Sequence, residues 1–340
     1  MRIGYSFWGF LGPGITDTPD GGRSHRRTLI DALLASGHQI VFLQPNRDRD
    51  EAATELPYVW ESTGLPDIDV LMLEWRWPIP GRNTTPCGAL GHTCDLHRQS
   101  ALVNFYTWAG LPTILWDKDR QLPADDPLRS MANVTICEAA LHPSPGAVSL
   151  LFPVSDQALD AADPQALSTA RRSHRLTYVG NQYDRDACFD AYFAPAALAH
   201  PGHLVAGKWT DTSLWPHVTF IGRVPFTQVA DLYRASLTTI LLLPDRHLAS
   251  GQMTQRLFEA VLAGCLPLCP AEFRSADQFL PKELIVSSGA EAATLVSHLA
   301  AALDQERADL LTHCLEGLDL MRVTRQTKIL DQLIASTGHR

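Results

Sequence analysis

No run in this 340-residue sequence is long and apolar enough to be read as a membrane span. The first residues, RIGYSF, enter a strand at once, without the basic segment and apolar run of an export signal, so a cytoplasmic protein is expected. Basic charge is scarce too. The formal net charge is −9; residues 1–150 carry 12 Lys and Arg against 17 Asp and Glu, and the remainder 16 against 20. Neither half has the balance of a chain that draws affinity from many phosphate contacts, which disfavours nucleic acid as a partner. The dinucleotide fingerprint G-x-G-x-x-G is missing. The first loop reads GFLGPG, Gln44 stands where an acidic residue would end the second strand, and GNQYDR in the second half fails the spacing as well. There is no P-loop and no G-x-S-x-G elbow, so a nicotinamide enzyme, a Walker-type NTPase and a serine hydrolase all lose their usual support, and no cofactor is expected.

Without an export signal, the seven cysteines are expected to be reduced thiols. CGALGHTCDLH places Cys87, His92, Cys94 and His97 within eleven residues. These are zinc-ligand types, but the spacing fits none of the usual knuckles, and the loop would have to fold tightly on itself. A flexible loop, and no metal, is the expectation.

What is present is an ordinary globular composition, 45% apolar and 19% charged, on a chain long enough for two domains. In the first half IGYSF is followed by a Gly/Pro-rich loop and RTLIDALLASGH, whose Leu29, Ile30, Leu33 and Leu34 share a helical face that Gly37 ends. QIVFLQP, DIDVLMLEW, the helical SALVNFYTWAG, PTILWD and NVTIC continue the alternation. Mostly apolar strands between helices are the signature of a parallel sheet covered on both faces. The Ala/Asp/Ser-rich segment around 153–174 reads as a connector, after which the pattern restarts: LTYVG, a helix around ACFDAYFAPAAL, HLVAGK, VTFIGRV, TQVADLYRAS, LTTILLLP and LIVSS. The fold class predicted is therefore α/β, two Rossmann-like doubly wound domains facing a cleft. Their expected extents are 1–155 and 174–340, with C-terminal helices in the second.

The stretch GQMTQRLFEAVLAGCLPLCP, residues 251–270, predicts a helix from Gln255 to Ala263, begun at Thr254 and stopped by Gly264, then a buried strand. Such a helix start is either an anion site or an ordinary cap.

Together with YVGNQYDRD and VTFIGRVPFTQVADLYRASLTTILLLPDR, this stretch resembles the donor domain of GT-B glycosyltransferases. It is most similar to the CgeB-like branch and the group 1 family. GGRSHRRTLIDALLASGH is similar to the opening of many such enzymes. The resemblance implies transfer of a sugar from a nucleoside-diphosphate sugar, without a metal, to a small-molecule or glycan acceptor held by the N-terminal domain, with retention favoured. It implies that Glu259 binds the ribose hydroxyls and that backbone around Thr254 and Gln255 holds phosphate. Arg185 and Lys208 are then the cationic partners of the diphosphate, Arg256 either a third or part of a structural ion pair, and Gly222, Arg223 and Val224 the turn that receives the base. Gly21 and Gly22 fall in the family's glycine-rich loop. Asp117 either serves as a catalytic base or sugar contact or caps the next turn, with Asp119 beside it and Glu74 a weaker candidate. Many retaining members have a first glutamate where Gly251 stands, which leaves Ser250 or Gln252 for that sugar contact. Arg23, His25, Arg26 and Arg27 crowd a helix start and mark either a bound anion or a solvated face. The rival readings are a GT-B-fold epimerase and a nucleotide-sugar-binding protein without turnover.

Overall fold

The computed structural model describes residues 1–12 and 22–337. The strand-helix alternation resolves into two separate sheets whose strand pairs are all parallel. The chain divides into two compact units. The first comprises Met1–Gly12, His25–Leu151 and the chain from Val323 onward; the second comprises Phe152–Arg322, with Ser24 grouped in it.

In the first unit β1 (Arg2–Ser6), β2 (Gln39–Phe42), β3 (Val59–Trp60), β4 (Val70–Glu74), β5 (Thr113–Asp117), β6 (Val134–Glu138) and β7 (Val148–Ser149) lie in the order β3-β2-β1-β4-β5-β6-β7. In the second, β8 (His174–Val179), β9 (His203–Ala206), β10 (Phe220–Gly222), β11 (Ser236–Ile240), β12 (Leu266–Pro270) and β13 (Ile285–Val286) lie in the order β10-β9-β8-β11-β12-β13. Each order reverses beside the unit's own first strand, between β1 and β4 and between β8 and β11. These are doubly wound sheets, and ligands of such sheets bind beyond the carboxyl ends of the strands at the reversal.

The strands are apolar on both faces because helices cover both. Ile3 pairs with Ile40 on one side and Val70 on the other, all buried. On the helix Arg23–Ala35, Leu29, Ile30 and Leu33 are fully buried while Leu34 stays 38% exposed, so the apolar face is one residue narrower than its periodicity suggests. The helix Arg256–Leu262 buries Leu257, Phe258, Ala260 and Val261, and the chain turns away at Gly264 with φ 73°. Burying a leucine such as Leu257 stabilises by about 2 kcal/mol, so this short helix is held by packing against the sheet more than by its own propensity. No described helix is long and apolar enough to cross a membrane.

The connector contains two short helices, Asp156–Asp160 and Pro164–Thr169, capped by the Ser155 hydroxyl and the Asp163 carboxylate. The C-terminal helix Val323–Thr337 departs from the expected domain extents. It groups with the first unit, burying Gln326, Thr327, Leu330 and Ile334. Gln326 Oε1 accepts the Leu151 N–H at 2.8 Å, and Asp331 lies 3.0 Å from His38 Nε2. Amphipathic spacing says that a helix has a face to bury, not which sheet it covers.

Candidate functional site

The carboxyl edge of the second sheet is shaped by glycines that follow its first strands. The Gly180 N–H bonds Ala206 O at 2.8 Å, and the Gly207 N–H bonds Gly222 O at 2.7 Å. Gly207 has φ 140°, and a Cβ there would fall 2.1 Å from Gly180 O, so only glycine lets the ends of β8 and β9 approach this closely. The loops are pinned by side chains. Asn181 Oδ1 accepts the Lys208 N–H at 2.8 Å, Trp209 Nε1 donates to Gly180 O at 2.8 Å, and Gln182 Oε1 accepts from Thr210 N at 2.9 Å. Beneath them Phe189 packs against Phe193, Trp209, Trp215 and Phe220.

The start of the helix Arg256–Leu262 reaches this edge. A Cβ on Gly180 would lie 3.0 Å from Arg256 Nη2, and the Arg256 guanidinium sits 5.8 Å from the Tyr178 ring centre. Burial works against its charge, but Tyr178, Tyr233 and Glu259 raise the Arg256 pKa above its ordinary value. Among the described residues Arg256 makes no salt bridge, although the Glu259 carboxylate favours its charge. Glu259 is one turn further along the helix. Its Oε1 accepts from the Ser24 hydroxyl, while Oε2 is sealed from solvent with no hydrogen-bond partner among the described residues. Burial pushes the Glu259 carboxyl above its usual range, opposed by Arg256 and Ser24. Thr254 Oγ1 and Arg185 Nε are in the same condition, buried and without a described partner, although Arg185 Nη1 bonds Asn181 O at 2.6 Å. Buried polar atoms are usually paired, and these three, on residues of two separate motifs, are among the atoms without a described partner.

The other expected residues divide. Lys208 is exposed just after β9, beside the loop that holds Arg185. Gly222 ends β10 with φ 75°; Arg223 is exposed, and Val224 packs on the cluster of Val179, Ala206, Tyr233 and Ala260. Gln255 occupies the N-cap position, but its side chain makes no capping bond. Gly251 is the left-handed C-cap of the helix Asp245–Ser250, at φ 63°, a conformation that a glutamate adopts only with strain. Its neighbours are engaged: the Ser250 hydroxyl donates to Arg246 O at 2.8 Å, and Gln252 Nε2 is 3.2 Å from His247 Nε2. Gly21 lies outside the described residues, whereas Gly22 immediately precedes the helix Arg23–Ala35.

In the first unit Asp117 ends β5 completely buried, and its two oxygens accept the N–H groups of Gln121 at 3.0 Å and Leu122 at 2.8 Å. That is the geometry of a turn cap, the second of the two roles open to it. Burial raises its pKa and the two N–H bonds restrain the rise. Asp119 is half-buried in the same turn. Glu74, at the end of β4, is buried among cations: Arg26 Nη2 lies 2.7 Å and Lys118 Nζ 2.5 Å from Oε2, and the Tyr5 hydroxyl donates to Oε1 at 2.7 Å. Burial alone would raise its pKa, but Arg26 and Lys118 hold it well below the usual carboxylate range. The crowded helix start is therefore not a solvated face. Arg23, His25 and Arg26 are buried, and only Arg27 is exposed. Sequence reasoning missed Tyr178, Gly180 and Gly207, whose signal was a glycine directly after each of two successive strands.

Residues 165–317 match the model of the glycosyl transferase-like family. That match covers less than half of the chain, and the two doubly wound sheets have the GT-B architecture. No protein of curated function matches the sequence. Among solved structures, the T4 phage β-glucosyltransferase in complex with UDP and Mn2+ superposes with a TM-score of 0.66 at 12% identity, covering 98% of this chain and 99% of that one. Another structure of β-glucosyltransferase is described as that of a DNA-modifying enzyme. HepE of Anabaena, in complex with UDP and glucose, gives 0.57 at 10% identity over 99% and 100%. AviGT4, involved in avilamycin A biosynthesis, gives 0.53 at 15% identity over 100% and 98%. At these identities the likeness is one of fold.

Proposed function

We propose that the chain transfers a sugar from a uridine-diphosphate sugar to a small-molecule or glycan acceptor held by the N-terminal unit, with retention of anomeric configuration. The observation that supports the donor site is the buried Oε2 of Glu259, which has no hydrogen-bond partner among the described residues. A carboxylate there accepts a ribose hydroxyl, which supplies the missing hydrogen bond. Thr254, Gln255, Arg185, Lys208 and Arg256 take the diphosphate, and the Gly222, Arg223 and Val224 turn takes the base. As the glycosidic bond breaks, negative charge grows on the departing diphosphate, and fixed cations and N–H dipoles stabilise it without reorganising. Three cationic side chains suffice for that role, so donor chemistry runs without Mg2+ or Mn2+, in contrast to the Mn2+ complex of the phage neighbour. Retention rests on the similarity of residues 251–270 to the group 1 transferases. The net charge of −9, spread over both halves, supports an acceptor other than nucleic acid.

The test is release of UDP from UDP-sugars with a panel of glycans, small acceptors and duplex DNA, each with and without added Mg2+ or Mn2+. The expected outcome is turnover with a non-nucleic-acid acceptor, unaffected by the ions, giving an α-linked product from an α-linked donor by NMR. Turnover only on DNA, or only with an added ion, contradicts the corresponding part of the proposal.

A further inference from the structure

The polar loop between β4 and the helix Asp95–Leu102 holds a group of side chains suited to a metal. Contrary to the expectation of a flexible loop, the chain folds tightly through turns at Gly81, Gly88 and Gly91, with φ of 73°, 85° and 79°, and Cys94 is held at φ 52°. One ligand atom from each of Cys87, His92, Cys94 and His97 then lies within 4.8 Å of the others. Cys87 Sγ is 3.1 Å from His97 Nδ1 and 4.0 Å from Cys94 Sγ. Around tetrahedral zinc, with sulfur at about 2.3 Å and nitrogen at about 2.0 Å, ligand atoms are separated by roughly 3.3–3.8 Å. Small side-chain adjustments bring the four onto such a shell.

Two further observations point to an ion. His92 Nε2 is buried with no hydrogen-bond partner among the described residues, while Nδ1 lies 3.2 Å from Thr85 Oγ1. The Thr85 hydroxyl donates to Arg82 O at 3.1 Å, so its oxygen accepts from Nδ1–H, and that tautomer leaves the Nε2 lone pair for the ion. The loop ends are tied down by groups outside the four. Asp95 accepts from Arg76 Nε at 2.9 Å, and Asn83 bonds Ile79 N at 2.6 Å and Trp77 O at 3.1 Å.

We propose that Cys87, His92, Cys94 and His97 bind one structural Zn2+. Two thiolates and two imidazoles suit zinc, and four protein ligands close the shell, leaving no position for a reacting water. The loop leaves the carboxyl end of β4, beside the strand-order reversal of the first sheet, so the ion fixes the chain that borders that unit's ligand-binding edge.

Tag-free protein isolated under reducing conditions is analysed for metal, then stripped and titrated with Co2+ alone. About one zinc per chain is expected, together with the intense visible bands of tetrahedral cobalt, a thiolate-to-cobalt charge-transfer band, and displacement of cobalt by Zn2+. Both signals should vanish in Cys87→Ser/Cys94→Ser. Thr85→Val, which keeps all four ligands, should weaken zinc binding by about tenfold. Should the double variant fail to fold, the cobalt titration of the unaltered chain decides. Reduced protein that takes up no Co2+, or that gives the weak spectrum of octahedral cobalt, overturns the proposal.

Discussion

Glu259 is a carboxylate kept where a carboxylate is costly. Its pKa is raised chiefly by burial, so the folded chain holds the proton more tightly than the unfolded chain does. The sign follows. Below the unfolded value both states are protonated and there is no penalty; as pH rises past it, the unfolded state ionises first and is favoured. Glu259→Gln should therefore melt higher than the unaltered protein at neutral pH, with the difference vanishing near about pH 4, while it binds UDP more weakly. Calorimetry at the two pH values checks this; an unchanged or lowered melting temperature at neutral pH contradicts the burial argument. The parts proposed for Glu259, Arg185 and Thr254 were legible because motifs carry those residues. Asp117 was not, because a carboxylate at a strand end reads the same whether it faces an acceptor or receives two N–H groups of its own turn, and only the path of Lys118 to Leu122 distinguishes the cases.

At the scale of elements, the donor edge depends on the close approach of the chain after β8 and β9. Gly207→Ala would drive a Cβ into Gly180 O and force a residue with a side chain to φ 140°. A loss of about 3 kcal/mol is expected, with weaker UDP binding in whatever remains folded, measured by denaturant titration and calorimetry. A variant as stable as the parent would show that the two strand ends need not touch. The long apolar strands and the helix Arg256–Leu262 could be read from periodicity. The two-residue strands β3 and β7 could not, since a pair of residues such as Val59–Trp60 sets no period and owes its pairing to its neighbour in the sheet.

For the whole molecule, the unexpected feature is that the last helix returns to the first unit. Ending the chain after Arg322 removes the Leu330 and Ile334 side chains and leaves the Leu151 N–H without Gln326. The first sheet should lose protection against hydrogen exchange, while β8, β9, β11 and β12 keep theirs. Equal loss in both sheets contradicts the grouping. Two sheets in tandem were legible from the restart of the strand pattern near Leu176, but the path of the final helix was not, because its apolar face fits either sheet equally well in sequence.

The central claim is that the second unit binds a nucleoside diphosphate through Glu259 and Arg185. Calorimetric titration of the parent, Glu259→Ala and Arg185→Ala with uridine and with UDP, after melting curves confirm folding, tests it most directly. Glu259→Ala should weaken both ligands by about 1.5–3 kcal/mol, the worth of a charged hydrogen bond. Arg185→Ala should weaken UDP far more than uridine, because only UDP carries the diphosphate that the guanidinium meets. Unchanged affinities in two well-folded variants would contradict the account.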